Sequence, residues 1–257
     1  MDLARRLGRR LPRPLRTAGV LTLYVFDVLA RARGTHSKEC TCCGFSGRFA
    51  IYGHPPRYDA RCPQCGSNER QRLVALAAER AQLARAGKKV LYFTPELVLS
   101  EYLAARHVDF DSVGLKNPDF LEAEDGAYDL VIASNILEHA RDDFQALSEL
   151  RRILNADGRV IITVPMILGW DNTYEDPDIL SENDRKLHFG EGNHVRQYGR
   201  DIKDRIASAG LAVEEHVVTG QESLRYGLIR GDRVYVARIG PAAMVRPSGM
   251  PAAALSG

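Results

Sequence analysis

Four cysteines stand in two C-x-x-C-G knuckles, Cys40 and Cys43 followed by Gly44, and Cys62 and Cys65 followed by Gly66. Thiolates paired at that spacing are the donor set of a tetrahedral zinc site, so Cys40, Cys43, Cys62 and Cys65 are the expected metal ligands. The glycines let each turn tighten so that backbone N–H groups face the sulfurs. Four sulfurs close the coordination shell, so the ion would fold the module rather than catalyse. Cys42 reads as a spare thiol, or as a substitute for Cys40. Any catalytic chemistry must come from downstream.

The knuckles are separated by residues 44–61, enough for a hairpin, and residues 37–70 are expected to form a zinc ribbon. Residues 68–86 read as a helix ending at Gly87, followed by a buried strand over 89–94, a helix over 97–106 and a strand over 110–115. Residues 128–134 are apolar and β-branched, a central strand. Phe144, Leu147, Leu150, Ile153 and Leu154 mark an amphipathic helix over 142–154, and Asp157-Gly158 turns it into a strand over 159–165. The stretch 166–198, rich in Asp, Asn, Gly and His, reads as a long irregular loop of the functional kind. A helix over 201–209 precedes two strands, 211–218 and 233–239, expected to follow one another without a helix between them.

Alternating strands and helices imply an α/β, Rossmann-like, mostly parallel sheet with a terminal antiparallel strand pair, preceded by the small zinc ribbon. Its ligand crevice belongs at the carboxyl ends of the strands, near residues 94, 115, 134 and 165. The chain then divides into a basic amphipathic arm (1–36), the ribbon (37–70), the main α/β domain (71–240) and a tail (241–257) whose Pro, Ala, Gly and Ser content predicts disorder.

Charge is unevenly spread. Residues 1–33 hold eight arginines against Asp2 and Asp27, a balance of +6, so the remainder sums to −4 of the total +2. Leu21, Tyr24, Val25, Val28 and Leu29 fall on one helical face within the arm. The apolar stretch is too short to span a bilayer, yet it permits peripheral contact with a membrane surface. Packing of that face on the chain's own domain is the preferred expectation. Five cysteines, four of them accounted for by the ribbon, fit a reducing compartment, so a cytoplasmic location is expected. Arg48, Arg57, Arg61, Arg70 and Arg72 surround the ribbon, but stacking aromatics are few (Phe45, Phe49, Tyr52, Tyr58), which disfavours a nucleic-acid partner.

The string Tyr128 to His139 (YDLVIASNILEH), the later ALSELRRIL of residues 146–154, Gly158 and the IITVP of residues 161–165 resemble the class I S-adenosylmethionine-dependent methyltransferases of the type 11 kind. Residues 185–198, followed by Asp201 and Ala209-Gly210, are also similar to a stretch of that family. The resemblance covers roughly residues 88–240, makes residues 71–240 a methyltransferase-like domain and implies S-adenosylmethionine as cofactor. The family's glycine-rich turn after the first strand reads here Thr94-Pro95-Glu96-Leu97-Val98, without a glycine, and the acid that ends the second strand is replaced by Gly114, with Asp111 and Asp119 nearby. Only about 35 residues separate the first strand from the fourth, too few for a comfortable third strand and helix.

On that resemblance the expected cofactor contacts are Thr94, Glu96, Asp119, Ser134 and Asn135. Methyl transfer from a sulfonium to a hydroxyl needs alignment and a base. His194 is the first candidate base and His188 the second, with Arg196 and Tyr198 orienting the acceptor. The alternative is that His194, Arg196 and Tyr198 only pin their loop. Glu138 and His139 are expected to cap or pack rather than catalyse. The implied activity is methylation of a polar acceptor, a small molecule, glycan or cell-envelope intermediate. The competing expectation is a non-catalytic scaffold or binding module with a degenerate cofactor site.

Overall fold

The structure is a computed structural model that describes residues 36–114 and 121–240, together with 19, 21, 22, 24–26 and 34. The expected tail and Asp119 lie outside the described residues, as does most of the arm. Residues 19, 21, 22 and 24–26 of the arm are helical, and Leu21, Tyr24 and Val25 are exposed, so packing of these three on the domain is not what the structure gives. No helix among the described residues is long and apolar enough to cross a membrane.

Four short strands, β1 (Ser37–Glu39), β2 (Ser46–Arg48), β3 (Ala50–Tyr52) and β4 (Arg57–Arg61), form two antiparallel pairs, β1 with β2 and β3 with β4, around the cysteine knuckles. Helix α1 (Glu69–Arg80) follows, started by a capping box in which Asn68 and Gln71 satisfy each other's backbone N–H groups. It stops short of the expected Gly87 because Gln82 adopts a left-handed φ of +56°.

The main sheet contains β5 (Val90–Phe93), β6 (Phe110–Val113), β7 (Tyr128–Ser134), β8 (Leu154–Thr163), and, after two minor strands, β11 (Leu211–Val217) and β12 (Arg233–Ile239). Its order is β11-β12-β8-β7-β5-β6. Strands β6, β5, β7 and β8 run parallel, whereas β12 is antiparallel to both β8 and β11. The Rossmann-like sheet with its terminal antiparallel pair is therefore the architecture. Among the described residues no strand lies between β6 and β7 in the chain, consistent with the short span there.

Helices α2 (Leu97–Ala104) and α3 (Asp143–Ile153) make the crossovers. The segment expected to be irregular holds two minor strands, β9 (Tyr174–Glu175) paired with β10 (Arg196–Gln197), and α4 (Glu182–Phe189) capped by Ser181. Helix α5 (Ile202–Ser208) precedes β11. The last two strands are not joined directly, contrary to expectation: α6 (Gly220–Tyr226) intervenes, started by a capping box between Thr219 and Glu222.

Alternation along the buried strands builds one core on each face of the sheet. Val90, Tyr92, Leu130 and Ile132 face α1, α2 and the ribbon, and Leu91, Phe93, Val131 and Ala133 face α3 and α5. The first cluster runs without a break from Cys40, Phe49 and Cys62 through Leu73 and Leu76 to the sheet. Arg72, 0% exposed, joins the two parts: its guanidinium donates to the carbonyls of Ala60, Ser67, Tyr226 and Gly227 at 2.6–2.9 Å.

Candidate functional site

Each knuckle repeats one geometry. The amides of Cys40 and Cys62 donate to the carbonyls of Phe45 and Ser67, and the amides of Gly44 and Gly66 donate back to the carbonyls of Cys40 and Cys62 at 2.9 Å. The glycine amides thus bond carbonyls and tighten the turns, while other backbone amides, those of Cys42 and Cys43 at Cys40 and of Gln64 and Cys65 at Cys62, face the sulfurs as expected. Both glycines need a left-handed φ, +74° and +76°, that a side-chained residue would resist.

The ligand atoms of Cys40, Cys43, Cys62 and Cys65 lie within 4.8 Å of one another. Cys40 Sγ and Cys65 Sγ are 3.6 Å apart, and Cys43 Sγ and Cys62 Sγ are 3.8 Å apart. Tetrahedral zinc–thiolate bonds of about 2.3 Å require sulfurs about 3.8 Å apart, so the quartet fits zinc, and these separations are far too long for disulfides. Cys42 is buried and stands outside the quartet.

At the carboxyl ends of β5, β7 and β8 lie two clefts that share Arg70 and Asn135. One, of about 270 Å³, is lined by Arg70, Tyr92, Thr94, Glu96, Ser134 and Asn135. The other, of about 330 Å³, continues over Thr163, Pro165, Met166, Gln197 and Asp232. Together they reach the size of small-molecule sites. The residues following β5 and β7 carry the bend that a glycine would ease: Thr94 has φ +42° and Asn135 φ +55°. Although the sequence has no glycine at Thr94, the backbone turns left-handed there. Pro95 and Leu97 point outward, Leu97 with 73% exposure, so neither fills the cleft.

Two side chains do enter it. Arg70, from the first turn of α1, donates to Glu96 Oε1 at 2.6 Å and to Ser134 Oγ at 2.7 Å. Ser134 Oγ meets Thr163 Oγ1 at 2.8 Å, and Thr163 Oγ1 donates to Asn135 Oδ1 at 3.0 Å. Glu96 keeps its second oxygen, Oε2, buried and without a partner. In the sequence Arg70 stands beside the ribbon, and a helix-surface arginine carries no local sign of a partner on β7. Asp232, which lines the larger cleft, has its carboxyl pushed up to about 6 by burial and by Glu69, against the pull of Arg57.

One turn beyond Asn135 the chain forms a 3-10 turn, Leu137–His139, where Glu138 and His139 meet His194. Burial pushes the Glu138 carboxyl up to about 7 and lowers the His139 imidazole. Arg70 and Arg196 both lie close enough to oppose the Glu138 shift. Glu138 and His139, expected to cap or pack, thus form a polar cluster with His194, which stands 55 residues away in sequence.

Arg196 and Tyr198 line neither cleft. Arg196 is buried, donating to the carbonyls of Leu137 (2.8 Å), Ala140 and Arg141 (3.1 Å) and to Glu175 Oε2 (3.0 Å). Tyr198 is 0% exposed and donates to Asp143 Oδ2 at 3.0 Å, with its phenol pushed far up by burial. Arg205 completes the network with Asp143, Glu175 and Asp201 at 2.7–3.0 Å. His188 is exposed and its Nδ1 meets the Tyr174 hydroxyl at 2.7 Å. Around the ribbon, Arg57 pairs with Glu69, Arg61 lies over the Tyr52 ring and Arg72 is buried.

Residues 75–162 match the Methyltransf_11 family model, whose description is methyltransferase domain. Over 92 residues the chain is 32% identical to the "Uncharacterized 37.1 kDa protein in transposon TN4556" of Streptomyces fradiae, covering 35% of this chain and 22% of that protein. The match thus spans about a fifth of that relative's length. Among solved structures the chain is similar to the Burkholderia thailandensis 1,6-didemethyltoxoflavin-N1-methyltransferase, solved with 1,6-didemethyltoxoflavin and S-adenosylhomocysteine bound. That likeness has TM-score 0.47 and 15% identity, over 66% of this chain and 78% of that one. It is also similar to an S-adenosylmethionine dependent methyltransferase of Mesorhizobium loti (TM-score 0.41, 13% identity, 64% and 96% of the two chains).

Proposed function

We propose that this chain, whose residues 75–162 carry a methyltransferase domain, is an S-adenosylmethionine-dependent methyltransferase acting on a polar acceptor of the small-molecule or glycan kind. The observation that carries the reading is the open cleft after Thr94, flanked by two left-handed residues where backbone can approach a ligand closely. The donor set suits the cofactor. Arg70 would hold its carboxylate, and Glu96, through the oxygen that has no partner, its ammonium group. Thr94, Ser134 and Asn135 would line its path, and Asp119 would substitute for the family's ribose-binding acid, whose own place Gly114 takes. Bound there, the sulfonium supplies an already activated methyl group.

The chain's own residues then have to align the acceptor and take up its proton. His194, beside Glu138 and His139, is the proposed contact for the acceptor's hydroxyl. Arg196 and Tyr198 serve as positioning residues, because their bonds hold the turn at 137–141 and the start of α3. His188, bonded to Tyr174, would line the outer approach. The zinc quartet is structural, and its ribbon supports α1, which carries Arg70. Residues 1–33, with their excess of arginine, would give peripheral contact with an anionic membrane surface from the cytoplasmic side.

Isothermal titration of the full chain with S-adenosylmethionine tests the reading. Saturable binding is expected, weakened at least tenfold in Arg70→Ala. A second reading, a non-catalytic scaffold, draws on the Arg70–Glu96 ion pair that spans the cleft. Absence of binding up to millimolar cofactor would favour that scaffold and exclude the enzyme.

A further inference from the structure

Glu138 is 1% exposed, and neither of its carboxylate oxygens has a hydrogen-bond partner. A buried carboxylate without donors is strongly disfavoured, and either a proton or a cation must compensate it. The nearby guanidinium groups are otherwise engaged, Arg70 with Glu96 and Ser134, Arg196 with Glu175 and three carbonyls. What faces Glu138 is a pair of imidazoles: the ligand atoms of Glu138, His139 and His194 lie within 4.8 Å of one another. The two rings meet edge to face with centroids 4.8 Å apart.

Both rings are held by backbone carbonyls of the 189–193 segment. His139 Nδ1 lies 3.2 Å from the Asn193 carbonyl, and His194 Nδ1 lies 3.3 Å from the Phe189 carbonyl. A carbonyl only accepts, so each Nδ1 carries the proton and each Nε2 keeps its lone pair. A backbone carbonyl holding one ring nitrogen is the arrangement that fixes the tautomer of a metal-bound histidine. The Val195 amide donates to the Glu138 carbonyl at 2.9 Å, tying the two segments together, and Arg196 clamps the turn beneath.

We propose that Glu138, His139 and His194 form a second metal site, chemically distinct from the four-thiolate centre, which takes a divalent transition-metal ion on one carboxylate and two imidazoles. Donors sharing one ion at about 2.1 Å stand about 3–4 Å apart, so an inward movement of about 1 Å closes the set. Nitrogen and oxygen donors suit zinc, cobalt, manganese or ferrous iron, and three protein ligands leave positions open for water or an oxygen of a second molecule. Asn135, which lines both clefts, stands three residues before Glu138, and an ion on His194 would meet the acceptor's oxygen in place of the imidazole itself. That last role rests on the methyltransferase reading. The ion site itself does not.

The test uses the full chain loaded with one equivalent of Zn²⁺, which fills the thiolates, and then titrated with Co²⁺ by calorimetry and visible absorption. One further equivalent of Co²⁺ is expected, without the thiolate-to-metal charge-transfer bands of a sulfur site. Its affinity should fall at least tenfold in Glu138→Gln and in His194→Gln while zinc content holds. No uptake up to millimolar Co²⁺, or uptake equal in both variants, overturns the proposal. The wild-type stoichiometry needs no variant, so a variant that fails to fold leaves the proposal refutable. A chain that binds S-adenosylmethionine but not Co²⁺ overturns the metal site alone. Binding of Co²⁺ without S-adenosylmethionine leaves the site standing and removes the methyltransferase reading.

Discussion

Replacing Arg196 by methionine, which keeps the length of the side chain and removes its fork, should destabilise the protein severely. The guanidinium is 3% exposed and makes four bonds, to the carbonyls of Leu137, Ala140 and Arg141 and to Glu175. Its loss takes this donor from the carbonyls of Ala140 and Arg141, leaves the Leu137 carbonyl only the Ala140 amide, and leaves Asp143 and Glu175 with Arg205 as the remaining cation of the network. Each charge-assisted bond contributes about 1.5–3 kcal/mol, partly offset because the variant no longer desolvates a guanidinium. Removal of one partner from a buried ionic network costs about 3–5 kcal/mol on balance. At about 2–4 °C per kcal/mol for a chain of this size, the melting temperature should fall by about 6–20 °C. Arg196→Lys should fall between, since an ammonium keeps the charge but cannot reach all four acceptors at once. Denaturant melts followed by circular dichroism give the numbers. A loss under about 1 kcal/mol in Arg196→Met would show that the guanidinium does not pin the 137–141 turn. An acceptor contact would then be the better account of it.

Chelation or Cys62→Ser should cost more than the ribbon alone, because Cys40 and Cys62 belong to the apolar cluster that reaches α1 and the sheet. One zinc per chain bound by the thiolates is expected, with a lower melting temperature after its removal; an unchanged melt would contradict the shared core. Asp232 supplies a pH signature. Its carboxyl titrates at about 6 in the folded chain and near the ordinary carboxylate value, about 3.9, when unfolded. The folded state therefore holds this proton more tightly, and the stability it confers is full below about pH 4 and lost as pH rises through 6. Asp232→Asn should raise the melting temperature at pH 7.5 and leave it nearly unchanged at pH 4; an equal shift at both would refute the assignment.

The elements missed by sequence reading share a physical character. Helix α6 spans only Gly220–Tyr226 and is mostly polar, so it carries little periodicity; its capping box, Thr219 with Glu222, was the available signal. Helix α4 and the β9–β10 pair are equally short, and their polar composition reads as loop until α5 and the Arg196–Arg205 network pack against them. Arg70 shows the same limit at the site. On a helical projection it is one arginine among several, and only the packing of α1 across the sheet sets it between Glu96 and Ser134.

What the chain states on its own is local chemistry and periodicity. Four thiolates at close spacing announce a metal site because their donors are already neighbours along the backbone. Runs of apolar, β-branched residues announce parallel strands because both faces of those strands must be covered. Tertiary structure decided what lies far apart in the chain. It bent Thr94 left-handed without a glycine, and it brought His194 across 55 residues to Glu138 and His139. Neither outcome has a local cause, since each is imposed by the sheet ends and by the buried ion pairs beneath them.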